Sequence, residues 1–313
     1  MQVMRRTLVL IFLTIVLSPG LSEAQRWKRM RYEVNYGIGA SNFLGELGGA
    51  DQIGTNLMRD LDFAMTRYVL SGGLRYKITK WLSAKGSMQV GMIRGDDDQT
   101  EEPSRSYRNL SFRSPIYELA VQFEASIVKE QVGARYRLRG VKGRKWVAIN
   151  AYPFIGIAGF YMNPKAQYNG VWYALQPLTT EGQGQLPTRP KKYSRFQLAV
   201  PIGLGFKYGF NRRWSISLEY GVRKTFTDYI DDVSTTYVNQ KYITAGASNV
   251  QTAIELADRA DGGLGQAGSS PNKTAPGQQR GNPHKNDAYM FAIFSLNYKF
   301  RQLRNRRRSR PKF

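Results

Sequence analysis

The chain has 313 residues, with 46 Lys+Arg against 23 Asp+Glu, a formal net charge of +23, one histidine and no cysteine. Without a thiol there is no disulfide framework, thiolate nucleophile, zinc-thiolate site or lipid-modified cysteine. A hydrophobic content of 42% at mean hydropathy −0.45 excludes a polytopic helical membrane protein, and 12% aromatic residues exclude a disordered chain.

Arg5 and Arg6 precede the apolar run Leu8–Leu17, followed by Ser18-Pro19-Gly20 and the small-residue pattern Ser22-Glu23-Ala24. This order predicts a signal peptide over residues 1–24, cleaved after Ala24. The competing reading is a transmembrane anchor, but the apolar run has 10 residues, where a spanning helix needs about 20.

The rest of the chain alternates with a period of two, the strand signal. In 195–208, Phe196, Leu198, Val200, Ile202, Leu204, Phe206 and Tyr208 share one face. Arg195, Gln197, Ala199, Pro201, Gly203, Gly205 and Lys207 share the other. The same pattern predicts strands at 31–40, 68–78, 81–92, 115–128, 146–161, 195–208, 214–226 and 287–300. Pro153 and Pro201 fall inside two of them, so each needs a bulge or a weakly paired position.

The connections are 41–67, 79–80, 93–114, 129–145, 162–194, 209–213 and 227–286. Every odd one is long, and the even ones are shorter. An even strand number with loops sorted this way is the signature of a transmembrane barrel. Tyr32, Tyr76, Trp81, Trp146, Tyr208, Trp214, Tyr298 and Phe300 all sit at strand ends beside the short turns, as one aromatic girdle. The expected fold is all-β: an eight-stranded antiparallel transmembrane barrel over 25–300, with long extracellular loops, termini in the periplasm and a filled lumen. Eight strands leave room inside for side chains only. Buried charges must pair. Glu33, Glu118, Glu124 and Glu219 are therefore expected in a lumen ion-pair network with Arg75, Lys77, Lys85, Lys207, Arg223 and Lys299. A water-filled pore lined by the same charges is the alternative.

Charge is unevenly placed. The short-turn side and the basic tail 301–313 carry +19, while the four long loops sum to −1. Such a rim suits anionic lipid headgroups or an acidic periplasmic partner. Nucleic acid is not expected at an exported barrel. The partner-binding candidates are Arg135, Arg137, Arg139, Arg144, Arg212, Arg213, Arg306, Arg307 and Arg308.

Other motifs are weaker. Asp96, Asp97, Asp98, Glu101 and Glu102 form an acidic cluster without the spacing of a calcium loop, expected to be a solvated loop neutralised by Arg105 and Arg108. Arg94-Gly95-Asp96 matches an adhesion tripeptide by chance. The glycines at 37, 39, 203, 205 and 209 lie in strands and are not a dinucleotide fingerprint, so no cofactor is expected. Residues 261–286 have the composition of a flexible loop. That loop holds His284, which is poorly placed for catalysis.

Several stretches carry a family resemblance. They are 41–49 (SNFLGELGG), 94–124 (RGDDDQTEEPSRSYRNLSFRSPIYELAVQFE), 168–187 (YNGVWYALQPLTTEGQGQLP) and 214–234 (WSISLEYGVRKTFTDYIDDVS). They resemble PorG-like outer-membrane proteins of the type IX secretion system of Bacteroidetes, over roughly 31–238 and the last strand. The resemblance implies a non-enzymatic barrel of the secretion and gliding machinery. Its implied partners are a periplasmic ring lipoprotein and the ring protein beside it, of PorK and PorN type. A small-solute channel and an outer-membrane lipid-modifying enzyme that uses His284 or a loop serine are the alternatives.

Overall fold

A computed structural model describes residues 30–47, 65–99, 103–128, 149–211, 213–260 and 274–300. The expected leader 1–24, Arg135, Arg137, Arg139, Arg144, Trp146, Arg212, and Arg306, Arg307 and Arg308 of the tail lie outside the described residues.

Ten strands appear among the described residues: β1 (Tyr32–Leu44), β2 (Arg67–Lys77), β3 (Leu82–Asp96), β4 (Ser111–Ala125), β5 (Ile149–Met162), β6 (Lys165–Tyr168), β7 (Val171–Ala174), β8 (Phe196–Gly209), β9 (Trp214–Thr225) and β10 (Ala288–Lys299). All pairings are antiparallel. β1 pairs with both β2 and β10, and β3 pairs with β4, so eight strands close into a barrel with β1 against β10 at the seam. β6 and β7 form a hairpin continuing from the long-loop end of β4, where Arg113 pairs with Lys165 and lies 3.5 Å over the Trp172 ring.

The period-two pattern sets the wall. Tyr36, Ile38, Leu119, Val121, Ile157, Leu198, Leu204, Leu218 and Phe294 point outward and are exposed, while their neighbours in sequence turn into the lumen. This belt is a lipid-facing surface, far larger than a water-soluble monomer leaves open. The expected girdle stands at its short-turn edge. Tyr32 meets Tyr76 at 5.1 Å, Trp214 meets Tyr298 at 4.7 Å, and Tyr298 meets Phe300 at 5.1 Å. A second aromatic group, not anticipated, marks the other edge. Tyr161 bridges Tyr117 and Phe196, and Tyr68 and Phe226 are exposed nearer the long loops. No helix among the described residues is long and apolar enough to cross a membrane.

The prolines behave as their chemistry requires. The β5–β8 ladder skips Gly156 and Ile157, opposite Val200 and Pro201, because proline has no N–H to give. Pro153 lies one residue past the end of the β4–β5 ladder and keeps only its pairing with Leu204.

The barrel is taller at the long-loop end than expected. β1, β3 and β4 run to Leu44, Asp96 and Ser111, beyond the anticipated limits at 40, 92 and 115. These extensions turn polar residues such as Arg94, Asp96 and Arg113 outward and bury Phe43, Ile93 and Phe112 inside, the reverse of the lipid-facing wall, so the alternation of the wall does not reveal them. Arg94-Gly95-Asp96 is thus part of β3, with Arg94 and Asp96 paired at 2.8 Å on one face of the strand.

The long connections also depart from expectation. Among the described residues they hold four short α-helices: α1 (Pro103–Arg108), α2 (Leu175–Leu178), α3 (Gln240–Gly246) and α4 (Val250–Ala257). Asn239 and Asn249 cap α3 and α4 by accepting backbone N–H bonds from Lys241 and Thr252. α4 buries Thr252, Ala253, Leu256 and Ala257 along one face. With Leu175, Leu178, Ile230, Val233 and Ile243 these residues continue the apolar upper lumen, formed by Phe43, Ile93, Phe112, Ile116, Phe160 and Tyr289, into a cap over the barrel. The anticipated flexible loop is corrected in part. Residues 274–286 are folded against the cap, with a bridge between Gln279 and Thr236, while 261–273 lie outside the described residues.

Candidate functional site

The lower lumen holds charges that the strands bring from all sides. Arg75 on β2 is the hub. Its Nε donates to Glu124 at 2.6 Å, Nη2 donates to Glu219 at 2.9 Å, and Nη1 donates to Glu33. Lys85 donates to Glu219 at 2.6 Å, and Lys207 donates to Glu33 at 2.5 Å. The Tyr152 hydroxyl donates to Glu219 at 2.9 Å and accepts from Arg75 at 3.1 Å. Three acids and three bases balance here, and all six residues are buried. Nearer the cap, Arg223 pairs with Glu118 at 3.3 Å, and the Tyr289 hydroxyl donates to Glu118 at 2.7 Å. Lys299 is buried, and Lys77 is half-buried at the short-turn end of β2; neither appears in the ion pairs just described.

Above the lumen, the cap is organised by a second set of charges that sequence reading missed. Glu181 is fully buried. It accepts from Ser234 N at 2.9 Å, Thr235 Oγ1 at 2.6 Å and Arg280 Nη1 at 2.9 Å. Arg280 also donates to the Asp232 carbonyl at 2.5 Å. The Asp232 carboxylate accepts from Thr180 Oγ1 and, at 2.7 Å, from the Tyr193 hydroxyl. Tyr193 stacks on Tyr229 at 4.9 Å and 11°. Thr179 and Asp232 both hold left-handed backbone, φ 51° and 68°, where a β-branched residue is out of place. Strain of this kind survives only where surrounding contacts enforce it. The signal available in sequence was the two stretches 168–187 and 214–234, which supply Thr179, Thr180, Glu181, Asp231 and Asp232.

A third group lies where the cap meets β1, β9 and β10. Carboxylate oxygens of Glu46, Asp228 and Asp287 come within 4.8 Å of one another. Burial, with Asp228 close by, pushes Glu46 up to about 7, and burial pushes Asp228 up to about 7. Asp231 and Asp287 are held well above the ordinary carboxylate range, first by burial and then by their acidic neighbours. Burial also raises Asp232 to about 6, against the opposing pull of Arg280, Thr180 and Tyr193.

The acidic segment after β3 is not a solvated loop throughout. Asp97 is fully buried between Arg105 at 3.3 Å and Arg108 at 2.7 Å. Asp98 is exposed, and Glu101 and Glu102 lie outside the described residues. Of the expected partner-binding residues, Arg213 is described, and it is exposed in the β8–β9 turn. His284 is exposed on the segment before β10, its backbone N–H bonded to Asn282 Oδ1.

Solved structures of similar shape are small outer-membrane barrels. Neisserial surface protein A (NspA) is 8% identical at TM-score 0.37, over 86% of this chain and 97% of its own. Ail, the attachment invasion locus protein of Yersinia pestis, is 10% identical at 0.36, over 87% and 99%. OprG from Pseudomonas aeruginosa is 8% identical at 0.32, over 87% and 97%. At these scores the likenesses carry no argument of their own. No curated protein matches the chain. Residues 9–250 match the family described as the outer membrane protein beta-barrel domain, and the chain, a closed eight-stranded antiparallel barrel with a lipid-facing belt, belongs to that family.

Proposed function

We propose that the chain is a non-enzymatic scaffold of the outer membrane, set in lipid with its short turns and termini in the periplasm, and that it docks an acidic periplasmic partner on its basic rim. The observation that carries the reading is the filled lumen. Arg75, Lys85 and Lys207 are each at most 3% exposed and locked to glutamates, and apolar side chains close the barrel above them. A wall so packed has no space for a folded cargo, and it makes a poor solute path. The resemblance noted in the sequence points the docking surface toward a ring lipoprotein and its partner of type IX secretion. The +19 rim gives that contact its chemistry. Arg135, Arg137, Arg139, Arg144, Arg212, Arg213 and Arg306–Arg308 are the candidate contacts.

The test is a mild-detergent pull-down from outer membranes of the native host, read by mass spectrometry. It compares the full chain, a truncation after Phe300, and a variant with the 129–145 arginines changed to Gln. The expected result is a ring lipoprotein captured by the full chain and lost, in a salt-sensitive way, from at least one variant. Capture unchanged in all three would remove the basic rim from the mechanism. Planar-bilayer recording supplies the second arm: a scaffold gives no steady open level, while stable conductance would make the protein a channel.

A further inference from the structure

We propose that Glu46, Asp228 and Asp287 form a calcium site that clips the ends of β1, β9 and β10 together beneath the cap. The three carboxylates come from three adjacent parts of the wall. Glu46 follows β1, Asp228 follows β9, and Asp287 immediately precedes β10. An oxygen from each lies within 4.8 Å of the others, so some point lies no more than about 2.8 Å from all three, close to the roughly 2.3–2.6 Å of calcium–oxygen bonds. Magnesium, with ligands at about 2.0–2.1 Å and strict octahedral geometry, fits this spread less well.

Unmade hydrogen bonds distinguish this group from an ordinary acidic cluster. Neither oxygen of Asp228 makes a well-formed hydrogen bond, with the Ser234 hydroxyl as the side-chain donor beside it, and Asp228 itself is 7% exposed. Asp287 is 1% exposed; its Oδ2 accepts from Ile230 N at 2.9 Å while Oδ1 is left unmatched. Glu46 repeats the arrangement, with Oε1 accepting from Asn282 N at 2.7 Å and Oε2 unmatched. One oxygen of Asp287 and one of Glu46 thus orient the side chain, and the other is left over. A buried carboxylate oxygen without a donor costs several times what a made hydrogen bond returns.

The nearby cation does not resolve this. Arg108 spends its donors on Asp97, on the Arg280 carbonyl at 2.7 Å and on the Glu46 carbonyl at 3.0 Å. Its hydrogen bond goes to the backbone of Glu46 and not to the carboxylate. Asp231 adds further negative charge close by, and its own carboxylate is taken up by the N–H groups of Leu47 and Val233. A hard dication with oxygen ligands meets what remains. The surrounding backbone is already fixed, since Asp287 N donates to Thr227 O at 3.0 Å and Thr225 Oγ1 donates to Asp287 O at 2.6 Å.

The experiment uses the full-length protein folded in a zwitterionic detergent, treated with EDTA, dialysed at pH 8 and titrated with calcium chloride by calorimetry. Heat-modifiable gel migration checks the barrel. The expected result is one calcium per chain, with affinity lowered at least tenfold in Asp228→Asn and Glu46→Gln and kept in Asp98→Asn, which alters an exposed acid elsewhere. Calcium should raise the melting temperature of the wild type and leave that of Asp228→Asn unmoved. Without calcium, Asp228→Asn should be at least as stable as the wild type, since it relieves repulsion and breaks none of the hydrogen bonds described above. Absence of binding by the folded wild type overturns the proposal, as does binding that survives both site variants. Magnesium binding as tight as calcium would overturn the choice of metal.

Discussion

Arg75 joins three glutamates from three other strands, so its removal leaves three acids short of a partner inside the barrel. Breaking a buried ion pair from one side costs about 3–5 kcal/mol, because the remaining charge is stranded. Arg75→Met should therefore lower stability by about that amount, read as the midpoint of urea unfolding followed by tryptophan fluorescence in vesicles. Lys85→Met should cost less, because Glu219 keeps Arg75 and the Tyr152 hydroxyl. Arg75→Lys should fall between them: it keeps the charge but cannot span Glu124 and Glu219 with a planar fork. Alternation alone was enough to place these side chains inside. It could not say that Arg75 is the hub or that Glu118 is served separately by Arg223, because those facts depend on how far each strand is staggered around the closed barrel. The acids of the cap were harder still to read. Asp97 looks like its exposed neighbour Asp98 in sequence, and only the approach of Arg105 and Arg108 from α1 separates them.

Strand β8 shows how an element is shaped by what its inner face must avoid. A Cβ on Gly203 would lie 2.2 Å from the Tyr220 carbonyl on β9 and 2.5 Å from the Phe154 ring. A Cβ on Gly205 would meet the Tyr152 ring at 2.4 Å. The large aromatics of β5 fill the lumen because β8 presents no side chain there. Gly203→Ala should destabilise the barrel by about 1–3 kcal/mol through overpacking. Gly205→Ala should in addition push Tyr152 away from Arg75 and Glu219. Gly72→Ala is the control, since its Cβ would meet nothing within 4 Å. Urea midpoints of the three variants should order accordingly, and a Gly203→Ala midpoint equal to that of Gly72→Ala would refute the packing argument. The eight wall strands were legible because lipid on one side and a packed lumen on the other force a strict period of two. The hairpin β6–β7, the strand extensions and helices α1–α4 were not, because each stands above the lipid belt and buries its contacts irregularly against other loops. A segment such as 168–187 reads as a polar loop until Leu175 and Leu178 find the apolar mouth of the barrel.

At the scale of the molecule, barrel and cap should respond differently to pH. Asp232 lies in the cap, faced by Arg280, Thr180, Tyr193 and Glu181, and burial moves it from an ordinary 3.8 to about 6. The folded state then keeps a proton that the unfolded state has lost between about pH 4 and pH 6. Its stabilising contribution is whole below about pH 4, falls as pH rises through about 6, and is gone above that. Asp231 and Asp287, also raised by burial, act in the same direction. The cap should therefore be tighter at pH 4.5 than at pH 7.5 in EDTA, with higher amide-exchange protection factors, corrected for the intrinsic rate at each pH, over 227–240 and 274–287, although acid loosens most folded proteins. A shift of about two units bounds the Asp232 share at about 3 kcal/mol. Asp232→Asn should flatten part of this dependence and spare the remainder carried by Asp231 and Asp287. Protection factors in the strand cores should stay level across the same range, since the belt and the balanced lumen pairs are closed to solvent. Cap protection factors that rise steadily from pH 4.5 to 7.5, in wild type and Asp232→Asn alike, would mean that these acids find partners in solution that relieve their burial.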